Sequence, residues 1–144
     1  VDLVEVKLVN DESNRRDSSV RILVIEDERF ARGALRLILE LDGYEVRVTG
    51  SGQRAIRVLK TFNPHVVIMD WHVPGLSGER LCGEIRQRSP KVPIIVVSSS
   101  EEAFSSRVEV SARLRKPLDV RRLRALVAER LPAPGGQQAP AVRV

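Results

Sequence analysis

The chain has 144 residues, 42% of them hydrophobic and 30% charged, which suits one core of ordinary size with short flanking segments. No run reaches the roughly 18 apolar residues of a membrane-spanning helix, and the N-terminus lacks the basic start and apolar stretch of a secretory signal, so a cytoplasmic protein is expected. One cysteine, Cys82, and two histidines exclude a disulfide framework and a Cys/His zinc site, while 3% aromatic residues are too few for a single-stranded nucleic-acid stacking platform.

In chain order, residues 1–19 combine DLVEVKLV, which suits a short strand or helix, with the polar NDESNRRDSS, and are expected to form a partly flexible extension. The compact domain spans 20–131. RILVI (21–25), HVVIM (65–69) and PIIVV (93–97) are nearly continuous apolar runs, as strands buried on both faces of a parallel sheet require. YEVRV (44–48) and ARLR (112–115) are weaker strand candidates.

Helical periodicity fills the gaps. Residues 29–41 place Phe30, Ala34, Leu37, Ile38 and Leu41 on one stripe, with Asp42-Gly43 as the stop. Residues 52–62 place Ala55, Ile56 and Leu59, residues 78–88 place Leu81 and Ile85, and residues 120–131 place Leu123, Leu126, Val127 and Leu131. Residues 132–144, PAPGGQQAPAVRV, read as a disordered tail or linker. Five strands alternating with helices predict an α/β fold, a doubly wound five-stranded parallel sheet.

From 112 to 131 seven basic residues face only Asp119 and Glu129, which accounts for the whole net charge of +5. Such a stretch attracts nucleic acid or acidic partners, but a solvated Arg-rich helix face is the simpler reading. No helix-turn-helix pattern accompanies it, so nucleic acid and membrane are not expected partners.

The central strands end in polar residues that a core would not call for. RILVI leads into Glu26-Asp27-Glu28, HVVIM into Asp70, and PIIVV into Ser98-Ser99-Ser100. In a parallel sheet these ends share the edge where ligands bind, so Glu26, Asp27, Asp70, Ser98 and Lys116 are expected to converge. Three carboxylates so close call for a cation, and the hard, oxygen-seeking Mg²⁺ fits best. Asp70 then reads as a nucleophile toward phosphorus, Glu26 and Asp27 as metal holders, and Lys116 and Ser98 as groups that bind phosphoryl oxygens. Asp27 and Glu28 also suit the start of helix 29–41.

On ILVIEDE, VVIMDWHVPGLSGE, PIIVVSSS and RKPLD, the chain resembles the receiver domain of two-component response regulators, a flavodoxin-like fold. The spacing of Asp70, Pro74, Gly75 and Gly78 is the most specific piece. The resemblance implies that Asp70 accepts a phosphoryl group from a sensor histidine kinase or phosphotransfer protein, and that Glu26, Asp27, Asp70 and Trp71 serve Mg²⁺. It also implies a cis Lys116-Pro117 peptide, partner docking on helix 29–41, an output domain or effector that reads the phosphorylated state, and a possible homodimer.

The chain also departs from the family pattern. Ser98 and Lys116 are only 18 positions apart, which predicts a shortened fourth helix within 101–108. Arg113 occupies the place of an aromatic switch residue, and burying a guanidinium without a partner is costly.

Two other classes compete. A pseudo-receiver binding module that cycles no phosphate is favoured by Arg113 and the short fourth helix, but opposed by the full set of site residues. A phosphohydrolase is opposed by His72, which stands where such enzymes place a second Asp. The domain is thus expected to catalyse only its own phosphorylation and dephosphorylation. His72 itself reads either as a loop residue or as a group tuning acyl-phosphate lifetime. His65 reads as structural, Cys82 as a small buried hydrophobe, and Trp71 as lipophilic surface or a cap over the site.

Overall fold

The structure is a computed structural model that describes residues 19–131; the expected extension, apart from Ser19, and the tail over 132–144 lie outside the described residues. Strands β1 (Arg21–Ile25), β2 (Glu45–Thr49) and β3 (Val66–Met69) are followed by the two-residue strands β4 (His72–Val73) and β5 (Leu76–Ser77), then β6 (Ile94–Ser98) and β7 (Ala112–Arg115). The helices are α1 (Arg29–Leu41), α2 (Gly52–Phe62), α3 (Gly78–Arg88), α4 (Glu101–Ser105) and α5 (Val120–Arg130).

Five strands form one parallel sheet in the order β2-β1-β3-β6-β7. The apolar runs are buried on both faces, as their lack of alternation predicts. Leu23, Ile25, Val67, Met69, Ile94 and Val96 point to the layer of α2, α3 and α4. Ile22, Val24, Ile68, Ile95, Val97 and Leu114 point to α1 and α5. The fold class is therefore the expected doubly wound α/β sheet.

The phase of α1 departs from the sequence expectation. Leu35 and Leu39 face the sheet, whereas Phe30, Leu37 and Leu41 are 85%, 59% and 77% exposed. RFARGALRLILEL carries apolar residues around most of its circumference, so periodicity allows two stripes, and only the strand packing chooses between them. The unchosen stripe is left in solvent.

The antiparallel hairpin β4–β5 was also not expected, because two-residue strands leave no readable alternation. Its turn is Pro74-Gly75, and Gly75 has φ +98°, which favours glycine. The fourth helix is short, as predicted: α4 has five residues, and 106–110 carry no regular structure.

Candidate functional site

The site forms at the C-terminal edge of the sheet, where β1, β3 and β6 end side by side. Parallel registry, with Ile25 opposite Met69 and Met69 opposite Val96, brings Glu26, Asp70 and Ser98 to the same edge although they lie far apart in the chain. Glu26, Asp27 and Asp70 each present a carboxylate oxygen within 4.8 Å of the others. Glu26 and Ser98 are buried, Asp70 nearly so, and Asp27 is exposed.

Lys116 reaches this cluster from the far side. Its Nζ donates to Asp70 Oδ2 at 2.7 Å and to Glu26 Oε2 at 3.1 Å. The Lys116-Pro117 peptide is cis, as expected. Burial pushes the Glu26 carboxyl up, against the pull of the Glu28 N–H and of Lys116. Burial also draws the Lys116 amine down, but its hydrogen bonds and charge pairing with Asp70 and Glu26 outweigh this and hold it above its ordinary value. The amine stays protonated at neutral pH as the counter-charge of two carboxylates.

Neighbouring main-chain groups fix the carboxylates. The His72 N–H donates to Asp70 Oδ1 at 3.0 Å and the Glu28 N–H to Glu26 Oε1 at 3.1 Å. Glu28 itself caps α1, accepting from the N–H groups of Phe30 and Ala31 at 3.0 and 2.7 Å, which lowers its pKa. The Ser98 hydroxyl accepts from the Ser100 N–H at 3.1 Å.

The donor set consists entirely of hard oxygens and carries one more carboxylate than Lys116 and a single further positive charge would balance, so it fits a divalent cation such as Mg²⁺. Trp71 is not surface: it is 2% exposed, part of the core, and lies against Gly78, where a Cβ would fall 2.3 Å from the ring. An indole N–H is only a donor, so Trp71 could serve a metal solely through its main-chain carbonyl. His72 is exposed on the rim, 3.8 Å from Glu102.

His65 is placed structurally, accepting the Arg21 N–H at 2.9 Å through Nδ1. Burial pushes the Cys82 thiol up to about 11, which suits an inert core residue. The guanidinium of Arg113 is not without partners, as the sequence alone suggested: it donates to the carbonyls of Ala103 at 2.9 Å, Ser106 at 3.1 Å, and Val108. Sequence reasoning missed Arg32, whose Nη1 donates to the carbonyls of Glu26 and Asp27 at 3.1 and 3.3 Å and so braces the acidic turn. A polar-face arginine on α1 carried no signal for this.

A doubly wound parallel sheet with an acidic triad and a lysine at its carboxyl edge defines a small class of signalling domains. The chain belongs to the response regulator receiver domain family of two-component systems, whose profile matches residues 22–128. It is similar to the "Response regulator MprA" of Mycolicibacterium vanbaalenii, 30% identical over 132 residues that make up 85% of this chain and 57% of that protein. The protein of the same name from Mycobacterium tuberculosis strain H37Ra is 33% identical over 90 residues, 62% of this chain and 39% of the relative. The chain thus spans about two-fifths to three-fifths of the curated relatives it matches. Among solved structures, a response regulator receiver domain protein from Clostridium thermocellum is 26% identical, with TM-score 0.72 over 77% of this chain and 93% of the other. Chemotaxis response regulator CheY4 of Vibrio cholerae, 20% identical with TM-score 0.72 over 79% of this chain and all of the other, shares the fold.

Proposed function

We propose that this receiver domain acts in the cytoplasm, takes a phosphoryl group on Asp70 from the phosphohistidine of a sensor histidine kinase or phosphotransfer protein in the presence of Mg²⁺, and works as a conformational switch. The observation that carries this reading is Lys116 Nζ at 2.7 Å from Asp70 Oδ2 beside three clustered carboxylates. An Asp70 oxygen attacks phosphorus, the P–N bond breaks, and the partner imidazole leaves with its electron pair and takes up a proton. Glu26, Asp27 and Asp70, with the Trp71 carbonyl, would hold Mg²⁺, which when bound neutralises phosphoryl charge. Lys116 passes its hydrogen bond from the Asp70 carboxylate to a phosphoryl oxygen, and the Ser98 hydroxyl turns from the Ser100 N–H to donate to another.

The exposed stripe of Phe30, Leu37 and Leu41 supports docking of that partner on α1, next to the acidic turn. The new charge favours one of two surface conformations, which an output domain, an effector or a second copy reads through its differential affinity.

A second reading, a pseudo-receiver held in one conformation, is favoured by the three carbonyls that Arg113 ties together. Incubation with acetyl phosphate and Mg²⁺, followed by intact mass, separates the two. The wild type is expected to gain the mass of one phosphoryl group and Asp70→Asn none; an unmodified wild type would favour the pseudo-receiver.

A further inference from the structure

On the opposite side of the acidic turn from Lys116, between α1, the end of β2 and the start of α2, lies a cleft of about 750 Å³. Its walls include three arginines, Arg32, Arg54 and Arg57, and no acidic side chain. In a protein with 19 acidic residues that composition is selective.

Among the described residues no carboxylate forms an ion pair with these arginines. Arg32 spends its guanidinium on two main-chain carbonyls rather than a carboxylate. Arg54 and Arg57 are exposed and make no ion pair among the described residues. The acid nearest to Arg32 in sequence, Glu28, feels its charge but spends both carboxylate oxygens on the N–H groups of Phe30 and Ala31, and Asp27 offers a carboxylate oxygen to the cluster with Glu26 and Asp70. Many other arginines of the chain are committed, among them Arg36 to Glu40, Arg88 to Glu84, Arg115 to Glu101 and Arg124 to Asp42.

The cleft is also shaped. Arg32 lies against Gly50, where a Cβ would fall 2.6 Å from Nη1, so the missing side chain is what admits the guanidinium. Ser51, whose hydroxyl accepts the Arg54 N–H at the start of α2, also lines the cleft, and Val58 and Pro74 supply an apolar flank. Guanidinium forks match phosphate oxygens two at a time, and the volume falls in the range of small-ligand sites.

We infer that this cleft binds the phosphate chain of a nucleotide-sized ligand, with the arginines on the phosphates and the apolar flank against the remainder. The site is separate from Asp70 and stands whether or not Asp70 is phosphorylated. It is nonetheless joined to the metal cluster, since Arg32 also holds the Glu26 and Asp27 carbonyls.

Isothermal titration calorimetry with inorganic pyrophosphate and with ADP, in chelator-containing buffer free of divalent cations, tests this. Both probes are expected to bind at one site, ADP at least as tightly as pyrophosphate. The double variant Arg54→Glu/Arg57→Glu, on exposed positions and checked for folding by circular dichroism, is expected to weaken both at least tenfold. Gly50→Ala, which displaces Arg32, should weaken them as well, and Asp70→Asn should leave them unchanged. Absence of binding to the wild type, binding unaffected by the double charge reversal, or binding lost in Asp70→Asn would each overturn the proposal.

Discussion

Arg113 shows how far a single side chain departs from what its sequence position suggests. A guanidinium in place of an aromatic looks like a burial problem, because the sequence does not show which carbonyls lie near it. The shortened α4 exposes its last carbonyls and those of the segment after it, and Arg113 collects those of Ala103, Ser106 and Val108. The short helix and the arginine thus explain each other: one leaves acceptors unpaired, the other pairs them. Arg115 supports the same segment from the exposed side, pairing with Glu101 at 2.7 Å and lying over the Phe104 ring at 4.0 Å. Removing the first clasp in Arg113→Ala leaves half-buried carbonyls without a donor, so a loss of about 1–3 kcal/mol is expected from urea unfolding, with Arg113→Lys recovering only part of it. A loss below about 0.5 kcal/mol would mean that water replaces the guanidinium without penalty. By contrast, Asp70 and the Glu26-Asp27 pair were legible as a convergent group because each closes a strand whose apolar run is unmistakable, whereas Lys116 follows the weakly marked ARLR and was legible through the adjoining Pro117 in RKPLD. The main-chain donors that hold them, from Glu28 and His72, carry no residue-type signal at all.

At the scale of elements, strands were legible where the apolar run is buried on both sides, and helices where a stop signal follows, as at Asp42-Gly43. The phase of α1 was not, because two stripes compete and the choice belongs to Ile22, Val24 and the other strand residues it packs upon. The β3 start shows a different limit. HVVIM reads as one strand, yet the strand begins at Val66; His65 donates its main-chain N–H to the Arg21 carbonyl at 2.8 Å and accepts the Arg21 N–H on Nδ1, tying the beginnings of β1 and β3 together. Only an unprotonated Nδ1 accepts that bond. Burial, and then the charge of Arg21, hold the His65 pKa below its ordinary 6.5. The unfolded chain therefore binds this proton more readily than the folded one. The stability contributed by His65 is present above about pH 6.5 and is lost as pH falls through the window beneath it. Urea midpoints of the wild type are expected to drop between about pH 7.5 and about pH 5.5 more steeply than those of His65→Asn, which keeps an acceptor that does not titrate. Equal slopes for the two proteins would show that the bond survives protonation or contributes nothing.

Across the whole molecule, charge is laid out in a way that net charge conceals. The basic stretch at the C-terminal end of the domain is largely spent on internal contacts: Arg113 and Arg130 on carbonyls, Arg115 and Arg124 on acids, and Lys116 on the site. Arg121 and Arg122 stay exposed on α5, and the two concentrations of like charge that remain are an acidic hollow with one lysine at the sheet edge and an arginine-lined cleft. The hollow exists only when β1 and β3 lie in register, since Glu26 and Asp70 come from different strands and meet nowhere in the unfolded chain. A cation held there binds the folded state alone and must stabilise the entire domain, by about 2.7 kcal/mol at a hundredfold excess over its Kd. Thermal unfolding with rising MgCl₂, against NaCl of matched ionic strength, is expected to show a saturable increase in Tm that a chelator reverses. Asp27→Asn removes one negative charge from the exposed side, where nothing in the core depends on it, and is expected to keep the metal-free Tm while flattening the Mg²⁺ response. Glu26→Gln is less clean, because Lys116 and the Glu28 N–H both lean on that carboxylate, so its metal-free Tm moves as well. If the wild type responds to MgCl₂ no more than to NaCl, the three carboxylates are balanced by Lys116 and solvent alone, and the metal assignment fails while the fold and family stand.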